Sequence, residues 1–217
     1  MVTSSMTLDE RSAALGVIAT EVKACTKCPL YEGRTKAVPG AGPTNADILF
    51  IGEGPGYNED KQGLPFVGES GKLLEEFLAA INLTRDQVFI TNVVKCRPPG
   101  NRDPEPVEIK TCTSSYLFKQ IELINPKIIA TLGRHSMGLF FPKAKITQIH
   151  GQPKFENDRY YIPLFHPAFI LRNMNWKVQA IEDFKKIPVL LAEFAKQGKP
   201  KDEPPPPPPK PTQLSLF

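Results

Sequence analysis

Ile48-Leu49-Phe50-Ile51-Gly52-Glu53-Gly54-Pro55-Gly56 is the stretch that decides the fold. Its first four residues are apolar without interruption, the pattern of a short strand buried on both faces. The run ends in three glycines, one proline and one carboxylate. Glycine lets backbone approach a ligand closely and tolerates positive φ. Glu53 follows the last apolar residue by two positions. That spacing puts it just beyond the carboxyl end of the strand, where open α/β sheets bind ligands. A common Gly-rich turn with a solvated Glu is the plainer reading of this stretch taken alone.

Working outward, three further segments repeat the arrangement. Gln87-Val88-Phe89-Ile90-Thr91-Asn92 reads as a second strand with Asn92 at its carboxyl end. Asn is disfavoured in strands. Its carboxamide offers both a donor and an acceptor to a base edge, although it also forms turns. Lys127 to Gly133 reads as a third strand. Pro153-Lys154-Phe155 and Arg159-Tyr160-Tyr161-Ile162 read as a hairpin around Asn157-Asp158, leading into Pro163-Leu164-Phe165-His166. Pro163 argues that this strand lies at an edge or is ending.

The segments between the strands read as helices: Leu8–Ala24 with Thr7 as cap, Glu69–Ile81, Glu105–Asn125, Arg134–Phe140, and a closing helix Lys177–Ala195 that Pro188 should kink or restart. His135 opens the fourth of these and reads as a surface or capping residue. Residues 57–68 read as a loop with one aromatic, Phe66, which is either a core staple or a flat face for a planar ligand. Strands alternating with helices predict a three-layer α/β/α fold with a central four-stranded parallel sheet and right-handed crossovers. Glu53, Asn92, Gly133 and His166 then share one end of that sheet. An acid, an amide, an imidazole and an aromatic around one crevice suit a planar heterocycle.

The chain has 217 residues, enough for one such domain and a tail. A net charge of +4 permits a nucleic-acid partner without demanding one. No apolar run approaches membrane-spanning length and no signal peptide is evident, so a cytoplasmic, nucleoid-associated monomer is expected. Four cysteines in a reducing compartment favour ligands over disulfides. Cys25 and Cys28 form a C-x2-C clip at the end of a helix, and Cys96 and Cys112 form a widely spaced second pair. Spacing alone leaves Zn²⁺ and an iron–sulfur cluster equally open.

GEGPG, GLPFVG, TNVVKCRPP and HPAFILR, with cysteines at 25, 28, 96 and 112, resemble the family-4 uracil-DNA glycosylases over roughly residues 24–195. The resemblance implies a [4Fe–4S] cluster on Cys25, Cys28, Cys96 and Cys112. It implies hydrolysis of the N-glycosidic bond of uracil in DNA, the step that opens base excision repair. Glu53 would position or activate water and His166 would donate to uracil O2. Asn92 would read the uracil edge, Phe66 would stack, and Glu59 would crowd out a thymine methyl. Gly52, Gly54 and Gly56 would let backbone approach base and sugar. Lys95, Arg97, Arg102 and Arg172 would contact phosphates, and Ala168-Phe169-Ile170-Leu171 would supply a wedge into the base stack. Relatives that attach covalently to DNA carry an extra basic loop with a reactive His. The segment Cys96 to Arg102 lacks it, which implies a turnover enzyme. Glycosylases for other deaminated bases and a non-enzymatic nucleic-acid-binding module are the competing readings.

From residue 197 the composition shifts to charged residues and a proline run, Pro204–Pro209, that cannot bury enough apolar surface to fold. Residues 1–196 are therefore expected to form the catalytic domain and 197–217 a disordered, Pro-rich tail. The tail ends in Gln213-Leu214-Ser215-Leu216-Phe217. This pentapeptide resembles the motif by which bacterial replication and repair proteins dock on the sliding clamp.

Overall fold

A computed structural model describes residues 6–197. Gln197, expected to begin the tail, is instead the last residue of a helix, and the rest of the expected tail, residues 198–217 with Gln213 to Phe217, lies outside the described residues, as do residues 1–5. Five strands form one sheet in the order β2-β1-β3-β5-β4: β1 Ile48–Gly52, β2 Phe89–Asn92, β3 Ile128–Leu132, β4 Lys154–Glu156 and β5 Arg159–Leu164. Four of them pair in parallel as expected. The correction is at the edge, where β4 joins antiparallel to β5 through the hairpin and adds a fifth strand. A four-residue tract such as Pro153 to Glu156, with one apolar side chain, carries little strand signal of its own.

Strand residues alternate between two layers. Ile48 and Phe50 point to one face, where Leu73, Leu74, Phe77 and Leu78 of the helix Glu69–Ala79 meet Phe184 and Ile187 of the C-terminal helices. Leu49 and Ile51 point to the other, against Leu15, Ile18 and Val22 of α1 (Leu8–Ala24) and against Tyr116, Leu117 and Ile121. All five β1 residues are buried, so the uninterrupted apolar run follows from having helices on both sides. Thr7 caps α1 as expected. Its hydroxyl accepts from Glu10 N–H at 3.2 Å, and the Glu10 carboxylate accepts from Thr7 N–H at 2.7 Å.

Pro163 sits in β5, which is interior along its first half. Pairing with β4 stops at Tyr161, so the missing N–H faces no strand. There the Pro163 carbonyl accepts from Gly151 N–H at 2.7 Å instead. The closing helix is two helices, Lys177–Phe184 and Lys186–Gln197, with Pro188 in the first turn of the second, the position a proline tolerates. Among the described residues no helix is long and apolar enough to cross a membrane.

Candidate active site

A pocket of about 670 Å³ opens at the carboxyl ends of the parallel strands. Glu53, Asn92, Gly133 and His166 all line it, together with Gly54, Gly56, Glu59 and Phe66. The sheet therefore brings together every residue that strand logic placed at that end, and Gly52 lies directly behind Asn92 and Phe66.

Phe66 is buried and has φ 51, a left-handed backbone that costs a bulky residue of order 1–3 kcal/mol. Several contacts hold it there. The Arg85 guanidinium donates to the Pro65 and Phe66 carbonyls, and Glu59 accepts from Val67 and Gly68 N–H at 2.9 Å each. A Cβ on Gly71 would lie 1.9 Å from the Phe66 carbonyl oxygen, so only glycine lets the next helix start so close. A Cβ on Gly52 would lie 2.4 Å from Asn92 Oδ1 and 2.7 Å from the Phe66 ring. The ring is thus fixed across from His166, at 5.7 Å between ring centres.

Residues 57–62, expected as loop, form a short helix. Its stop is Gly63 at φ 78, whose N–H donates to the Glu59 carbonyl at 2.7 Å. Six polar residues without an apolar stripe gave no periodic signal. Glu59 lies within it and also accepts from Gly56 N–H at 3.1 Å, so one carboxylate braces the two loops that frame the pocket.

The Asn92 side chain is almost fully buried, and its Oδ1 has no hydrogen-bond partner among the described residues. Buried polar atoms are normally paired, so this one is prepared for a donor that arrives with a ligand. His166 Nδ1 accepts from Ala168 N–H at 3.1 Å, which leaves the ring proton on Nε2. Burial, with Arg172 adding to it, pushes His166 down to about 4, so near neutral pH the ring is an uncharged donor. Burial raises Glu53 above the usual carboxylate range, against the pull of His135.

His135 is a correction to the sequence reading. Its side chain is 18 % exposed and its Nε2 lies 3.7 Å from Glu53 and 3.4 Å from Asp103. Arg134 pairs with Asp103 and lies 3.1 Å from His135 Nε2. Asp103, Arg134 and Tyr57, all in the pocket wall or its mouth, had not been singled out. The available signal was Gly133: the residues just after a parallel strand are where Glu53 itself was found.

On the far side of the segment after β2, Cys25, Cys28, Cys96 and Cys112 line one small cavity. Arg34 donates to Cys96 Sγ at 3.2 Å, and the Lys27 N–H to Cys25 Sγ at 3.4 Å. Burial raises Cys28 and Cys96, and takes Cys112 up to about 11. Four convergent sulfurs with N–H donors around them fit a metal–thiolate centre. Bonds of about 2.3 Å to one tetrahedral ion would bring the sulfurs within about 4 Å of one another.

The uracil DNA glycosylase superfamily pattern matches residues 39–185. The chain belongs to that superfamily. It is 52% identical over 184 residues to the type-4 uracil-DNA glycosylase of Sulfurisphaera tokodaii, covering 80% of this chain and 83% of the relative. The type-4 enzyme of Saccharolobus solfataricus is 48% identical over 190 residues, 82% of this chain and 87% of that one. The Thermotoga maritima type-4 enzyme is 43% identical over 181 residues, 81% and 94%.

Two residues expected to meet DNA do not reach it. Lys95 is buried, with Nζ donating to Thr91 Oγ1 at 2.6 Å and to the Asn92 carbonyl at 2.8 Å. Ile170 is fully buried in the core beneath helix Pro167–Arg172, so it cannot enter a base stack. Phe169 packs on Phe165 at 5.1 Å between ring centres, whereas Leu171 is exposed. Ala168 and Arg172 line the pocket. Arg97 lies over the Tyr57 ring at 5.2 Å, and Arg102 is held by both oxygens of Glu108, at 2.7 and 2.9 Å.

Proposed function

We infer that this glycosylase-superfamily chain hydrolyses the bond between uracil N1 and deoxyribose C1′ in DNA and so initiates base excision repair. The observation that carries the reading is Asn92: a buried carboxamide oxygen without a partner among the described residues, lining a pocket in whose wall the Phe66 ring is fixed. Uracil N3–H would supply the missing donor, and the Asn92 amide would in turn donate to O4. Cytosine, with an acceptor at N3 and donors at N4, would leave both unpaired, and such mismatches are strongly rejected.

The base must leave the stack to enter the pocket. As the bond to C1′ lengthens, negative charge grows on the ring and positive charge on the sugar. The neutral His166 donates from Nε2 to O2, a preorganised interaction of roughly 3 kcal/mol. Glu53 stands across the pocket, where it orients water and opposes the sugar charge. Water delivers hydroxide to C1′ and a proton to the departing uracil, which balances the hydrolysis. Phe66 supports the flipped base from its strained position.

Cys25, Cys28, Cys96 and Cys112 would hold a [4Fe–4S] cluster that joins the end of α1 to the segment after β2. We assign it a structural role. The C-terminal Gln213 to Phe217, outside the described residues, would dock on a bacterial sliding clamp, with Leu216 and Phe217 in its apolar pocket. Deleting those five residues should abolish clamp binding and leave excision from free oligonucleotides unchanged.

Release of free uracil from a single-uracil oligonucleotide tests the activity. Hypoxanthine and xanthine substrates test its range. Glu53→Gln should keep binding of uracil-containing DNA and lose most of the turnover. Release equal to that of the wild type would remove Glu53 from the reaction.

A further inference from the structure

Lys95 is the residue that the catalytic reading leaves unexplained. Its side chain is 1% exposed, and burying an ammonium is costly unless an opposite charge compensates. Two of its three N–H bonds go to Thr91 Oγ1 and to the Asn92 carbonyl, both neutral acceptors. No carboxylate pairs with it among the described residues, and Cys112, in the wall of the same cavity, would carry an opposing charge once its sulfur is bound to a metal. Lys95 itself forms part of the wall of the four-cysteine cavity.

We propose that Lys95 is the internal counter-ion of the four-thiolate centre and, through the Asn92 carbonyl, ties that centre to the base-reading end of β2. This rests on the reading that the four cysteines ligate a metal centre. Four thiolates around a zinc ion or around a cubane core both carry net negative charge, and dry walls leave that charge poorly screened. An ammonium inside the same wall offsets it. Cys96 follows Lys95 directly, and Asn92 lies three residues before Lys95. The short segment from Asn92 to Cys96 therefore joins the base pocket to the metal cavity, and Lys95 braces it from within. A lysine at this place contributes charge to the interior and none to the DNA surface.

The test uses full-length protein purified without oxygen. Iron, sulfide and zinc are counted in the wild type, and metal release to a chelator is timed in three variants. Lys95→Met keeps the length of the side chain and removes the charge. It should release metal about 10- to 100-fold faster, the usual cost of losing a group that supports metal ligands. Lys95→Arg keeps the charge and should restore most of the retention. Thr91→Val removes one bond to Nζ while leaving the ammonium, so it should hold metal nearly as long as the wild type and raise KM for uracil-containing DNA. Release from Lys95→Met at the wild-type rate would overturn the proposal. So would equally fast release from Thr91→Val, because loss of packing would then explain both. Zinc in place of iron and sulfide in the wild type would refute the cluster assignment, while the same release rates would still decide the role of Lys95.

Discussion

The base pocket and the cysteine cavity draw on one short stretch of chain, and they are built in opposite ways. The pocket takes Asn92 and Pro98, and the cavity takes Val94, Lys95 and Cys96. On the pocket side the strand ends present groups with unmet needs: a partnerless carboxamide, a carboxylate raised by burial and an imidazole kept neutral. On the cavity side the sulfurs receive donors from Arg34 and from the backbone. The first region is arranged to gain partners from a visiting base, and the second to be filled once and remain so. What the contrast teaches is that one segment can serve turnover and permanence together, provided its two ends face the pocket and its middle faces the cavity.

The largest expected effect tests whether the two regions are separable. His166→Leu removes the Nε2 donor while keeping bulk. We expect kcat to fall about 10²–10³-fold, with DNA affinity and metal content unchanged. A loss confined to affinity would move His166 to a binding role, and a loss of metal would show that the regions are not independent. Cys96→Ala is the converse experiment. It should lower stability by about 3 kcal/mol or more, a Tm drop of roughly 10 °C, and weaken DNA binding before it slows the chemical step. A variant that folds and binds DNA normally but does not turn over would place the metal centre in the reaction.

The parts of this contrast differ in how legible they were. Strand ends could be read because a strand covered by helices on both faces must be continuously apolar, so each break in apolarity marks a terminus. That logic located Glu53, Asn92 and His166. It passed over His135, although Gly133 marks the same kind of break, because a residue opening a helix reads equally well as a cap. Phe66 was visible as a lone aromatic, but its left-handed backbone and the glycines that permit it arise from tertiary contact. Lys95 was misread because its neighbours Arg97 and Arg102 make the segment look like a basic surface loop. Residue type there carries no sign of direction, and only the position of β2 turns its ammonium inward. The π-helical turn at Thr113–Leu117, between Pro106–Cys112 and Phe118–Ile124, interrupts a run that reads as one continuous helix.

A smaller effect is expected in the pH dependence of stability. His166 titrates near 6.5 when unfolded and near 4 in the fold. Between those values the unfolded chain binds the proton that the folded chain excludes. Its contribution is therefore complete above about pH 6.5 and is lost as the pH falls toward 4, at roughly 1 kcal/mol per unit. Glu53 opposes this, since a raised carboxylate favours the folded state on acidification. Comparing urea unfolding of the wild type and His166→Leu from pH 7 to pH 4.5 isolates the histidine. The wild type should lose more stability than the variant over that range. Parallel curves would mean that His166 is no harder to protonate in the fold than in the unfolded chain.

The smallest effect separates charges that face DNA from the one that faces the metal cavity. Each phosphate contact steepens the fall of log K with log salt by about 0.7–0.9. Arg172 is exposed at the pocket mouth, and Arg97 lies over Tyr57 beside it. Arg172→Gln and Arg97→Gln should each flatten the slope by nearly one contact for uracil-containing DNA. Arg102 is already held by Glu108, and it would have to share its guanidinium between that carboxylate and a phosphate. Arg102→Gln should therefore change the slope less than either. Lys95→Met, compared as metal-replete protein, should leave the slope where it is, since its ammonium does not reach the surface. A slope change for Lys95→Met as large as that for Arg172→Gln would put Lys95 on the DNA and erase the division between the two regions.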